Sequence, residues 1–194
     1  MKKLTKRNLD ELAVNMPIID EKEQQDIIGG TFYYSASGQL IHATYDGSNE
    51  MRVVLDINNW VVSGGGMFDP ISGSYSLNEV GSNVVANVLS HIASSIGISG
   101  AIGVTYRSGT AAWVDSSGQI FFNNASNIFD EANYYDILSV LNHEHHHQMT
   151  MYDHGTTGSE IAALEYEMSL STFHLTSPEY QSDTLALYNR LKNL

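Results

Sequence analysis

Ile137-Leu138-Ser139-Val140-Leu141-Asn142-His143-Glu144-His145-His146-His147 places apolar side chains at 137, 138, 140 and 141, and Met149, Met151 and Tyr152 follow. This is helical spacing, not the alternation of a strand. Asp130 or Asn133 is a candidate cap at its start and Asp153-His154-Gly155 supplies turn chemistry at its end, which predicts a helix of about five turns. On that helix Val140, His143, His147 and Met151 form one stripe. Side chains at i and i+4 share a helix face, so two neutral imidazoles there can bind one tetrahedral Zn²⁺ from rigid backbone. Such a metal lowers the pKa of a coordinated water, and Glu144 is placed as the general base that takes the proton. His145 falls on the next stripe with Leu138 and Leu141 and is expected to face the core. His146 aligns with Ser139, Asn142 and Thr150 and reads as a solvated or cleft-edge histidine.

Four histidines in five residues also fit a loose metal-binding tract. An amphipathic helix in front and an acidic helix behind argue against it. After the turn 153–159, Glu160-Ile161-Ala162-Ala163-Leu164-Glu165-Tyr166-Glu167-Met168 reads as a second helix, with Ser159 as its candidate N-cap. A catalytic zinc takes a third protein ligand and keeps one position open.

The pattern His143-Glu144-x-x-His147 with a glutamate in the next helix resembles the gluzincin type of zinc metallopeptidase. In that family the glutamate often stands in a Glu-x-x-Ala setting, which Glu160-Ile161-Ala162-Ala163 matches. The chain departs from the family in having Leu164 where an aspartate often follows, and in the short gap after His147. The resemblance implies an α+β zincin-like domain: a small antiparallel-rich sheet, an active-site helix and C-terminal helices. It implies Zn²⁺ held by His143, His147 and Glu160, Glu144 as the base, and a peptide or protein as the substrate. Glu165 is the second choice of ligand, since an antiparallel helix carries it past the metal. Glu167 reads as an ordinary acidic helix face. His154 and Asp153 are alternatives from the turn, and Tyr152, His154 or Tyr166 is the expected oxyanion stabiliser. The zincin order also implies that an edge strand near 119–123 pairs with extended substrate.

The first thirty residues carry a basic start (Lys2, Lys3, Lys6, Arg7), spaced aliphatic residues (Leu9, Leu12, Met16, Ile19, Ile27, Ile28) and end in Gly29-Gly30. This resembles the double-glycine leader of exported bacteriocin-like peptides, cut after the second glycine by the peptidase domain of an ABC exporter. It implies a leader over 1–30, a mature domain over 31–194, and a protein that is cytoplasmic before export and secreted or periplasmic after it. The segment has no apolar run of secretory-signal length. An uncleaved leader laid on the domain is a candidate inhibitory prosegment.

With 194 residues and 42% hydrophobic content the chain holds one domain with a real core. The formal charge is −13, and beyond residue 30 the fixed cations are Arg52, Arg107, Arg190 and Lys192. Nucleic acid and anionic membranes are therefore excluded as partners, and no stretch approaches a membrane span. There is no cysteine, so a metal site must be built from His, Asp and Glu.

Residues 31–34, 39–45 and 51–55 read as strands joined by Ser37-Gly38 and Asp46-Gly47 turns, which favours antiparallel pairing. Ser63-Gly64-Gly65-Gly66 is a flexible connection. Val80, Val84, Val85, Val88, Leu89, Ile92 and Ile96 predict a buried helix ending at Gly97. Strands near 101–106, 111–115 and 119–123 follow. His42, His91 and His174 read as structural or exposed. The rival reading of the whole is a non-catalytic exported metal-binding or bacteriocin-like effector, favoured if the glutamate lies too far from the histidines.

Overall fold

The computed structural model describes residues 30–44, 46–56, 73–150 and 155–194. The expected leader up to Gly29, the glycine-rich connection 63–66, and Tyr152, Asp153 and His154 lie outside these residues. Strands β1 (Phe32–Ser35), β2 (Leu40–Ala43), β3 (Met51–Val54) and β4 (Ser74–Ser76) come first, followed by helix α1 (Ser82–Ser95). Strands β5 (Gly103–Thr105), β6 (Ala112–Val114) and β7 (Ile120–Asn123) precede helices α2 (Tyr134–Met149), α3 (Thr157–Ser169) and α4 (Pro178–Lys192). The chain is mixed α/β. Among the described residues no helix is long and apolar enough to cross a membrane.

In place of one antiparallel-rich sheet there are two small mixed ones, ordered β2-β1-β3-β4 and β5-β7-β6. β1 pairs antiparallel with β2 as expected, but β3 lies on its other side in parallel register, Phe32 opposite Met51 and Ser35 opposite Val54. The Asp46 turn is therefore not a hairpin. It carries the chain back across the end of β1, and Asp46 is held there by the hydroxyls of Thr31 and Thr44, which donate at 2.9 and 2.7 Å, and by the backbone N–H of Ser48 at 3.0 Å. In the second sheet β7 is parallel to β5 and antiparallel to β6. Residues 120–123 are thus the central strand, and the free edge beside the site helix belongs to β6.

α1 forms because Val85, Val88, Leu89, Ile92 and Ala93 recur at helical spacing, and all five are buried. It stops at Gly97, whose φ of 84° lets the Ile98 N–H reach the Ala93 carbonyl at 2.9 Å and the Gly97 N–H reach that of Ser94 at 3.2 Å. Glycine favours this left-handed cap because it has no Cβ to clash. Gly38, itself at a φ of 88°, is required for a second reason as well: a Cβ there would meet the Asn87 carbonyl of α1, so the β1–β2 turn can lie directly on the helix. The buried face of α1 joins Met51 and Val53 of β3, Ile120 and Phe122 of β7, and Ile137, Leu138 and Leu141 of α2 in one core. Each fully buried aliphatic side chain contributes about 1.5–3 kcal/mol, so the site helix is anchored by its own apolar half.

The first sheet is also tied to the start of α2. Glu50 and Asn133 form an isolated antiparallel bridge. The Met51 N–H donates to Ala132 O at 2.9 Å and the Tyr134 N–H to Asn49 O at 2.8 Å, while the rings of Phe32 and Tyr134 stack 4.5 Å apart.

Candidate metal centre

Asn133 is the N-cap of α2, its Oδ1 accepting from the N–H groups of Tyr135 and Asp136 at 2.8 and 3.4 Å. This satisfies donors that the first helical turn leaves unpaired. Ile137, Leu138 and Leu141 turn that helix onto the core, and one turn on His143, Glu144 and His147 face a cleft of about 1260 Å³. α3 runs antiparallel beside it, since Glu160 meets His143 and His147 whereas Glu167 meets His143 and Ser139. Its N-cap is Thr156, whose Oγ1 accepts from the Ser159 N–H at 3.2 Å. The helix therefore starts earlier than a Ser159 cap predicts, and Glu160 sits in its first turn, where the helix dipole favours a carboxylate.

His143, His147 and Glu160 converge with ligand atoms within 4.8 Å of one another, a group that can hold a metal ion. The two Nε2 atoms are 3.2 Å apart, and each lies 3.5 Å from a different oxygen of Glu160. Two unprotonated imidazole nitrogens facing each other this closely repel, so the arrangement calls for a proton or a cation between them. Burial opposes charge on His143, but its hydrogen bonds with Glu160 and Glu167, together with the field of Glu144, raise its pKa to about 10. The imidazoles of His143 and His147 hold the Glu160 carboxyl far below the usual carboxylate range. Glu144, 7% exposed, is pushed up to about 7 by burial, against the opposing pull of His143 and His147.

Glu167 does not lie on a solvated acidic face. It is 1% exposed. Its Oε2 is 3.0 Å from Nδ1 of His143, and its Oε1 accepts from the hydroxyls of Ser139 and Tyr180, each at 2.8 Å. A carboxylate on Nδ1 places the proton there and turns the Nε2 lone pair toward Glu160 and His147. The signal for it was the seven-residue interval from Glu160, two turns along one face of α3. Tyr180 had no such signal, because it arrives from α4.

Glu165, the second choice for a ligand, points the other way. It is exposed and pairs with Lys192 and Tyr188 of α4 at 2.8 and 2.9 Å. His145 is half-buried and bonded to Gln148 at 2.8 Å, and Gln148 in turn donates to Gly118 O at 2.7 Å, tying α2 to the β6–β7 turn. His146 is half-buried: its ring packs 5.2 Å from that of Tyr166, and its Nδ1 is buried without a hydrogen-bond partner among the described residues. Its pKa is lowered, by burial first and then by the neighbouring imidazoles. His91 and His174 are exposed and His42 lies against Tyr33, all outside the three-residue group. No family model matches the chain, and neither does any curated protein or solved structure.

Proposed function

We propose that the chain is a zinc-dependent peptidase, exported after loss of its leader. The observation that carries this reading is the spacing of the three donors. Separations of 3.2, 3.5 and 3.5 Å approach the ~3.3 Å edge of a tetrahedron with bonds of about 2.0–2.1 Å, the geometry of Zn²⁺ on nitrogen and oxygen. Two imidazoles and a carboxylate, with no cysteine in the chain, are one of the donor sets of catalytic zinc. The rival reading, a non-catalytic exported metal-binding or bacteriocin-like effector, is favoured by a distant glutamate, and Glu160 is adjacent.

Zn²⁺ held there supplies Lewis acidity, which acidifies a coordinated water and polarises a carbonyl. The protein contributes the remaining steps. Glu144 accepts a proton from the attacking water and later passes it to the leaving amine, work suited to a carboxyl tuned toward neutral pH. Glu167 holds His143 in one tautomer and one orientation. The free edge of β6, whose residues Ala112, Trp113 and Val114 line the cleft, offers backbone groups to an extended peptide, a role that central strand β7 cannot fill. The test is hydrolysis of a peptide panel by the zinc-loaded chain and by Glu144→Gln. The variant is expected to keep its metal and lose at least about 10²-fold in kcat. Undiminished hydrolysis by the variant would overturn the mechanism.

A further inference from the structure

A carboxylate buried as deeply as Glu167 is costly unless hydrogen bonds surround it, and its two oxygens are used differently. Oε1 accepts from the hydroxyls of Ser139 and Tyr180, each at 2.8 Å, while Oε2 faces Nδ1 of His143 at 3.0 Å. Two donors converging on one oxygen fix the rotation of the carboxyl group, so the oxygen left for His143 is held in one place. Both donors are neutral. They orient the carboxylate without cancelling its charge, which stays directed at the imidazole.

The two hydroxyls come from different helices, and each is itself fixed. Ser139 is buried on α2, one turn before His143. Tyr180 stands in the first turn of α4, where its N–H donates to Oγ of the N-cap Ser177 at 3.2 Å. Ser177 in turn donates from its N–H and its hydroxyl to Asp136 of α2, both at 2.7 Å. The Tyr180 ring packs against the main core. Otherwise α4 has little buried surface, since Thr184 is its one buried residue.

We infer that Tyr180 and Ser139 are positioning residues of the metal centre, acting through Glu167 on His143, so that α4 completes the centre without supplying a ligand to it. This rests on the metal part of the reading above and is independent of what the site hydrolyses. Without the two hydroxyls the Glu167 carboxyl group can turn, and the Nε2 lone pair of His143 is no longer held toward Glu160 and His147.

The test uses the full chain carrying Tyr180→Phe or Ser139→Ala, each of which removes one hydroxyl and leaves the rest of the side chain in place. Competition with a chelator reads zinc affinity, and the visible absorption of Co²⁺ bound in place of Zn²⁺ reads ligand geometry. Each variant is expected to bind zinc about 3–10-fold more weakly than wild type, the scale of one lost hydrogen bond. Each should also shift the cobalt bands, which a loss of overall stability alone does not do. On a Glu167→Gln background neither substitution should cost more than ~2-fold, because the group they act through is gone. Wild-type affinity with an unchanged cobalt spectrum in a folded variant would overturn the role of that residue. So would an equal loss with and without Glu167. Either variant is decisive alone, so a failure of one to fold leaves the other to be read. A wild-type chain that takes up no tightly bound zinc would instead overturn the metal reading itself, and is seen before any substitution is made.

Discussion

Nδ1 of His143 lies 3.0 Å from Oε2 of Glu167, a residue 24 positions further along the chain. That contact joins α2 to α3 at the point where both present candidate ligands, and it fixes which nitrogen of His143 faces Glu160 and His147. The same carboxylate receives the hydroxyls of Ser139 and Tyr180, so three helices share one buried anion.

Replacing Glu167 with glutamine leaves one acceptor oxygen for three donors. Zinc affinity is expected to fall ~10–100-fold, as for other losses of a carboxylate behind a ligating histidine. Competition against a chelator of known affinity measures this. Unaltered affinity in a folded Glu167→Gln protein would show that the contact does not position His143.

Glu160 and Glu165 separate the two candidate third ligands. Glu160→Gln should weaken metal binding, because it removes the charged oxygens 3.5 Å from both imidazoles. Glu165→Gln should leave it intact, since that carboxylate serves Lys192 and Tyr188 at the surface. Metal content after dialysis reads both, and the reverse pattern would transfer the ligand role to Glu165.

Hydrogen bonds from Thr44, Ser48 and Thr31 outweigh the opposing effect of burial and lower the Asp46 pKa from 3.8 to about 2. A depressed folded pKa means that the stabilisation is fully present above the unfolded value and is lost as pH falls through the folded one. The stability gap between wild type and Asp46→Asn should therefore be constant above about pH 4 and close between about pH 4 and 2. Denaturant melts across that range give the gap directly, and one that stays open at pH 2 would mean Asp46 is not the group titrating.

The expected processing point meets a structural obstacle. Gly30 is buried and Thr31 is 5% exposed. The Thr31 N–H donates to Thr44 Oγ1 at 2.8 Å. A peptidase that requires an extended segment in its cleft cannot reach this bond in the folded domain. Cleavage between Gly30 and Thr31 is expected on chain that has not yet folded and to be slow on folded protein. Incubating a double-glycine exporter peptidase with native and with urea-unfolded chain checks the order, and equally fast cleavage of both would contradict it.

What could be read from the residues was local. The histidine spacing, the apolar half of α2 and the Gly97 stop of α1 all rest on contacts within a few residues, and each lies where it was expected. Glu160 was singled out through the resemblance that its Glu-x-x-Ala setting carries, and it stands beside both histidines. For Glu167 the only local signal was its seven-residue interval from Glu160, and its burial depends on Ser139 and Tyr180 arriving from other helices. The parallel pairing of β1 with β3 was hidden for a related reason: Asp46-Gly47 has the composition of a hairpin turn, and only its cage of Thr31, Thr44 and Ser48 makes it a crossing. The β6–β7 hairpin was legible, but the placement of β5 on the outer side of β7, which removes the free edge from 120–123, is a long-range choice made by the core.

The bridge between Glu50 and Asn133 gives the metal centre a reach beyond its own helices. Asn133 both caps α2 and pairs with the strand side of the molecule, so the first turn of α2 cannot fray without releasing the backbone of Met51. The two stretches are expected to open as one unit in native-state amide exchange. An ion that binds only the folded form slows every opening that destroys its site, and its arrival at His143 and His147 should be recorded as slower exchange at Met51 and Tyr134, residues that never touch it.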